Sequence, residues 1–312
     1  MHAQDVTFGA GKNAIFLVFG LNKPDEIGKI KGICEDAPSF VRSLRNRFCD
    51  DQISCVVGFG SAAWDHLFKG RKKPKELAPF QEIKGDKHTA PSTPGDLFFH
   101  IRSTRFDLAY ELASLITEAL GDSVLPIEEI HGFRYLDGRA ILGFVDGTEN
   151  PDIPDERYDF AVIGDQEPDF KGGSYCFVQK YIHNMVDWNK LPTEEQEKVI
   201  GRRKYNDKEL SDEEKPENAH NAVTNISDEN GEELKIVRGN MPFANPSKGE
   251  YGTYFIGYAS TFTTTKRMLD NMFKGDPPGN YDRILDFSTA ETGTLFFIPS
   301  LELLGELAAD EE

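Results

Sequence analysis

The sequence has 312 residues, enough for one large domain or two of ordinary size. Its 53 acidic side chains against 35 basic ones leave a net charge of −18. That excludes a general binder of nucleic acid or of anionic membranes, since both need a basic surface. No apolar run approaches the roughly 18 residues that span a bilayer. The N-terminal stretch MHAQDVTFGAGKNAIFLVFG lacks a basic region followed by an apolar one and a cleavage site. Four cysteines (Cys34, Cys49, Cys55, Cys176) form neither CxxC nor CxxCH. Free thiols in a reducing cytoplasm are the expectation.

The pattern predicts a buried strand at 14–21 (AIFLVFGL), a helix within 23–48, a strand at 53–60 and a short helix at 62–68. A third strand at 96–103, an amphipathic helix at 105–120 and a fourth strand within 127–136 complete a β-α-β-β-α-β order, that of a ferredoxin-like unit. The order partly recurs further on. SYCFVQKYIH (174–183) reads as a strand, DWNKLPTEEQEKVIGR (187–202) as a helix and LKIVRGNMPF (234–243) as a strand. GTYFIGYAS (252–260), TTTKRMLDNMF (263–273) and GTLFFIPS (293–300) read as strand, helix and strand. The expected fold class is α+β: duplicated ferredoxin-like halves, 1–140 and 141–312, with antiparallel sheets packed sheet to sheet and helices on the outside. Long loops rich in Asp, Glu, Asn, Gly and Pro lie between.

Most motifs with a chemical meaning fail. GFGSAA (58–63) has loose dinucleotide-binding spacing, but no strand ending in an acid follows it, and its glycines read better as a tight strand-to-helix turn. HExxH, GxSxG and the P-loop pattern do not occur. ILGFVDGTENP (141–151) is a strand-like apolar run that ends in Asp146. Turn chemistry alone accounts for Asp-Gly and Asn-Pro there. His220 interrupts the polar stretch SDEEKPENAHNAVTNI, where it is either a solvated loop imidazole or an axial ligand to haem iron.

Taken together, GFVDGTENP (143–151), AHNAVTNI (219–226), IVRGNMPF (236–243) and YDRILDFSTAETGTLFFIPS (281–300) resemble the signature set of the dye-decolorizing peroxidases, closest to the shorter bacterial, cytoplasmic-type members. The resemblance implies a dimeric α+β barrel type of fold with a non-covalent haem b (iron protoporphyrin IX) in the second half. It implies His220 as the iron ligand on one side, with Asp146 and Arg238 on the other, and Asn240 completing their hydrogen-bond network. Arg202 is expected to pair with a haem propionate, with Arg203 as the near competitor, and Glu149 joins the cofactor-binding residues. Asp286 is expected to accept a hydrogen bond from His220, with Asp282 as the alternative. Trp64 and Trp188 are either electron relays or packing residues.

The function implied is reduction of hydrogen peroxide through a ferryl state and one-electron oxidation of aromatic or dye-like donors, by a homo-oligomer without nucleic-acid or membrane partners. The alternative is a haem-handling protein that stores, delivers or demetallates the porphyrin. A carrier needs no acid–cation pair, so Asp146 and Arg238 together favour the enzyme.

Overall fold

The computed structural model describes residues 1–9 and 11–309. Strand β1 (Asn13–Leu21) is almost continuously apolar because both of its faces are covered. Helix α1 (Ile27–Arg47) buries Ile30, Ile33, Cys34, Ala37, Val41 and Leu44, a stripe at helical spacing. Strand β2 (Ile53–Gly60) runs straight into α2 (Ser61–Leu67). A small hairpin, β3 (Ile83–Lys84) with β4 (Thr89–Ala90), precedes β5 (Leu97–Ser103), α3 (Phe106–Leu120) and β6 (Val124–Phe133).

The second half begins with α4 (Pro154–Ala161) and β7 (Ser174–His183). Three short helices follow: α5 (Met185–Trp188), α6 (Thr193–Ile200) and α7 (His220–Thr224). A ribbon of β8 (Ile226–Ser227) and β9 (Glu233–Leu234) leads to β10 (Val237–Arg238), β11 (Met241–Asn245) and β12 (Glu250–Ala259). Helix α8 (Phe262–Lys274), β13 (Ser288–Ala290), β14 (Thr294–Ile298) and α9 (Leu301–Ala309) close the chain.

Strand order repeats between the halves. The first half runs β6-β1-β5-β2 and the second β14-β7-β12-β10, so that in each the first strand lies between the third and the fourth. All ladders are antiparallel. The α+β class and the ferredoxin-like order are as the sequence leads one to expect. The two sheets are not separate layers, however. β14 pairs with β2 through Phe296↔Gly60 and Phe297↔Phe59, which joins the halves edge to edge into one ten-stranded sheet.

This sheet curls until β6 meets β11. Phe16, Val56, Phe98, Val178, Tyr254, Ile256 and Phe296 from both halves form the core inside the curl. The opposite face, with Ile15, Leu17, Val57, Phe99 and Phe177, packs under the helices. Among the described residues no helix is long and apolar enough to cross a membrane.

Three elements differ from the sequence reading. The helix expected over 187–202 breaks in two, because Pro192 is extended (φ −61°, ψ 155°) at the start of α6. The strand expected over 234–243 keeps one register, from Val237↔Tyr258 to Met241↔Tyr254, yet its ladder is interrupted at Gly239 and Asn240. There the Asn240 side chain accepts from the Ile256 amide at 3.1 Å, in place of a backbone carbonyl. The apolar run 141–145 is no strand at all. Leu142 and Phe144 pack on Trp188 and Val199, and the Trp188 indole donates to the Leu142 carbonyl at 3.0 Å. As for GFGSAA, a Cβ on Gly60 would lie 2.1 Å from the Gly95 carbonyl oxygen, so close backbone approach accounts for that glycine.

The closure between β6 and β11 is tight. A Cβ on Gly132 would meet the Met241 Cβ at 2.5 Å, an atom that cannot rotate away. Gly132→Ala is therefore expected to cost about 1–3 kcal/mol by overpacking. It should be read as a lower urea midpoint at unchanged m-value.

Candidate functional site

A cavity of about 1460 Å³, counted with its open mouth, lies between β12, β10, α7, α8 and the loop 140–151. Its walls are largely apolar, with Phe144, Ile200, Phe255, Leu269, Met272 and Ile284. Polar groups converge on it from two directions.

On one side are Asp146, Arg238 and Asn240. Two asparagines bring them together. The Asn150 amide donates to the Arg238 carbonyl and accepts from the Arg238 amide, both at 2.8 Å, in a reciprocal clamp across 88 residues of chain. Asn240, while it accepts from Ile256, donates to the Asp146 carboxylate at 3.2 Å. Gly147, with φ +81°, lets the chain turn directly after the acid. Among the described residues the Arg238 guanidinium has no hydrogen-bond or ion-pair partner, so a half-buried cation faces the cavity with its donors free.

Across the cavity, His220 is the first residue of α7. Its Nδ1 lies 2.6 Å from the carboxylate of Asp282, which is fully buried and also accepts from the Ile284 amide at 3.0 Å. A carboxylate only accepts, so Nδ1 carries a proton, and in the neutral ring Nε2 then keeps its lone pair. The partner of His220 is thus Asp282 and not Asp286. Although Asp286 is only four residues on, its side chain takes hydrogen bonds from Lys87, His88 and Tyr281 on the other side of the segment. Burial alone would raise the Asp286 pKa; those bonds outweigh it and hold the group below the usual carboxylate range.

Arg202 lines the cavity, paired with Glu149 and donating to the Asp207 carbonyl at 2.7 Å, while its buried Nε has no partner. Arg203 turns away to Glu197 and Glu214, at 2.9 and 2.7 Å. His183 also lines the wall, but both its nitrogens are engaged, by Ser288 at 2.8 Å and Thr253 at 2.9 Å. Both tryptophans are packing residues at 1 % exposure, Trp64 among Phe59, Phe68, Phe170 and Phe297.

Residues 4–134 match the family model described as Dyp-type peroxidase, N-terminal, and residues 137–303 the one described as Dyp-type peroxidase, C-terminal. The chain belongs to the Dyp-type peroxidase family. It is 50 % identical to the dye-decolorizing peroxidase of Rhodococcus erythropolis over 293 residues, covering 94 % of this chain and 85 % of that protein. The crystal structure of a dye-decolorizing peroxidase from Bacteroides thetaiotaomicron superposes with a TM-score of 0.95 at 63 % identity, covering 98 % of each chain. A DypB variant from Rhodococcus jostii RHA1 in complex with heme does so with a TM-score of 0.95 at 47 % identity, again covering 98 % of each.

Asn150 is the site residue that sequence reasoning missed in this Dyp-type fold. Its only signal was the Asn-Pro dipeptide, which reads as a turn. Asn150→Ala removes two hydrogen bonds and should cost about 1–3 kcal/mol, seen as a lower urea midpoint.

The wall histidine gives a pH dependence. Burial pushes His183 from 6.5 down to about 4, so the unfolded chain binds its proton first as pH falls. Stability should drop by up to roughly 3 kcal/mol between the unfolded and folded pKa values, and this contribution levels off below the folded one. Urea midpoints of wild type and His183→Gln across that window check it. The variant should lose less on acidification.

Proposed function

We propose that the cavity in the second half, 141–312, holds a haem b without covalent attachment, and that the protein uses it to reduce hydrogen peroxide and oxidise aromatic donors one electron at a time. The observation that carries this reading is His220. Its imidazole is tied at Nδ1 to a buried carboxylate and free at Nε2, across an apolar cavity from a carboxylate and an unpaired guanidinium. The residues fit the group. A flat apolar ring suits the walls, Nε2 suits iron, and the unpartnered Nε of Arg202 beside the cavity suits a propionate. Glu149 orients Arg202 through their ion pair.

When bound, the haem supplies the iron at which the peroxide O–O bond breaks and the oxidising equivalents that donors then consume. The rest falls to the chain. His220 would hold the iron through Nε2, with its tautomer fixed by Asp282. Asp146 takes the proton from the near oxygen of hydrogen peroxide and returns it to the departing oxygen. Asn240 holds one carboxylate oxygen of Asp146 and leaves the other for that transfer. Arg238 offsets the negative charge that builds on the departing oxygen, with a cation already in place. A haem carrier needs neither the acid nor the cation, so the pair favours the enzyme over haem storage or delivery. A cytoplasmic homo-oligomer belongs to the same proposal, supported by four free cysteines and by exposed Leu125 and Ile127 on β6 at the end of the sheet.

His220→Ala should purify with little haem. Full haem content and an unchanged absorption spectrum would exclude it as the iron ligand. Asp146→Asn and Arg238→Leu should keep their haem. At least one should react with hydrogen peroxide slower by about 10²-fold or more in stopped-flow absorbance. Wild-type rates in both would reject these assignments.

A further inference from the structure

Among the described residues none before 140 lines the cavity, yet the first half reaches the site from behind. The hairpin of β3 and β4 lies against α8 so closely that a Cβ on Gly85 would sit 1.8 Å from the Phe273 carbonyl oxygen. At its tip are Lys87 and His88. Both donate to Oδ1 of Asp286, the histidine at 3.1 Å, and the Tyr281 hydroxyl donates to the same oxygen at 3.1 Å. The His88 and Tyr281 rings meet edge to face at 5.1 Å, and the Lys87 ammonium lies 5.4 Å from the centre of the Tyr281 ring. Tyr281 and Asp286 bracket the buried Asp282 in sequence.

We propose that the hairpin 83–90 is a positioning clasp for Asp282: through Asp286 and Tyr281 it grips the segment 281–286 at both ends and so holds the Asp282 carboxylate against His220. This rests on His220 being the iron ligand.

Geometry separates the clasp from an ordinary surface ion pair. An exposed lysine pairing alone contributes little. Here three donors from two halves of the chain converge on one carboxylate oxygen, and the Asp286 side chain is only 26 % exposed. The segment's backbone is held from the same direction, because the Asp282 amide donates to the Met272 carbonyl at 2.9 Å, next to the Phe273 against which the hairpin packs. The 2.6 Å contact between His220 and Asp282 depends on that segment staying in place. A tight contact gives the imidazole more anionic character, which favours ferric over ferrous iron and lowers the reduction potential. Asp286, Lys87, His88 and Tyr281 are not among the residues that line the cavity. They act through Asp282.

The experiment is spectroelectrochemical titration of the ferric/ferrous couple in the haem-loaded protein, with resonance Raman of the iron–histidine stretch. Asp282→Asn is the reference for a weakened contact. Asp286→Ala should keep its haem and move the potential positive, in the direction of Asp282→Asn, by at least the 59 mV that corresponds to tenfold in the one-electron equilibrium. The iron–histidine frequency should fall with it. Lys87→Met and Tyr281→Phe keep the carboxylate, guard against misfolding of Asp286→Ala, and should shift the potential the same way by less. If Asp286→Ala, or in its absence both milder variants, match wild type while Asp282→Asn shifts, the clasp is wrong and the iron-ligand reading stands. If Asp282→Asn also matches wild type, both fall.

Discussion

The site hangs on the amide of Asn150. Its two hydrogen bonds to the backbone of Arg238 join a loop that has no regular structure to the interrupted edge of a sheet. Neither piece would define a position alone, since the loop lacks a ladder and the strand's ladder is interrupted at Gly239 and Asn240, where only the Gly239 amide still bonds the Ile256 carbonyl. Asn240 uses that interruption. One end of its amide repairs the sheet at Ile256 and the other holds Asp146. Acid and guanidinium thus share a cavity wall because two neutral amides, each satisfied at both ends, fix the backbone of Arg238 and the carboxylate of Asp146. A charged group in either role would have perturbed the charges it was positioning.

The opposite wall solves a different problem. Asp282 is fully buried, and a buried carboxylate is tolerated only where donors surround it. It finds the Ile284 amide and the His220 ring, so its own need for donors orients the imidazole. Polar satisfaction and ligand geometry are met by the same contact.

The sequence carried the order of elements, the α+β class and the residues of the cavity well, since buried strands and amphipathic helices leave periodic signals and the signature stretches lie near their chemistry. It misled where tertiary contacts override local pattern. The run 141–145 is apolar because it packs on Trp188 and lines a cavity, which period-two reasoning cannot tell from a strand. Asp282 and Asp286 both stand in the same short segment, and only the tertiary structure shows that the first, which caps the turn at Ile284, meets His220 while the second meets the first-half hairpin. Asn150 was hidden behind turn chemistry that its dipeptide also satisfies. The edge pairing of β14 with β2 has no sequence signal, being a contact between two strands whose ends could equally have packed face to face.

The two halves share a strand order but not a helical cover. In the first, the 21-residue α1 packs on the sheet beside α3. In the second, the corresponding stretch is cut into α5, α6 and α7 of 4, 8 and 5 residues, and the space that one long helix would fill is the cavity. The pocket is in effect a gap in the hydrophobic core, and a bound apolar ring would stand in for the absent helix side chains. Folding of this half is then thermodynamically linked to cofactor supply, because a ligand bound only by the native state deepens its free-energy well. A cell short of porphyrin would hold the enzyme not merely idle but less firmly folded than with its cofactor in place.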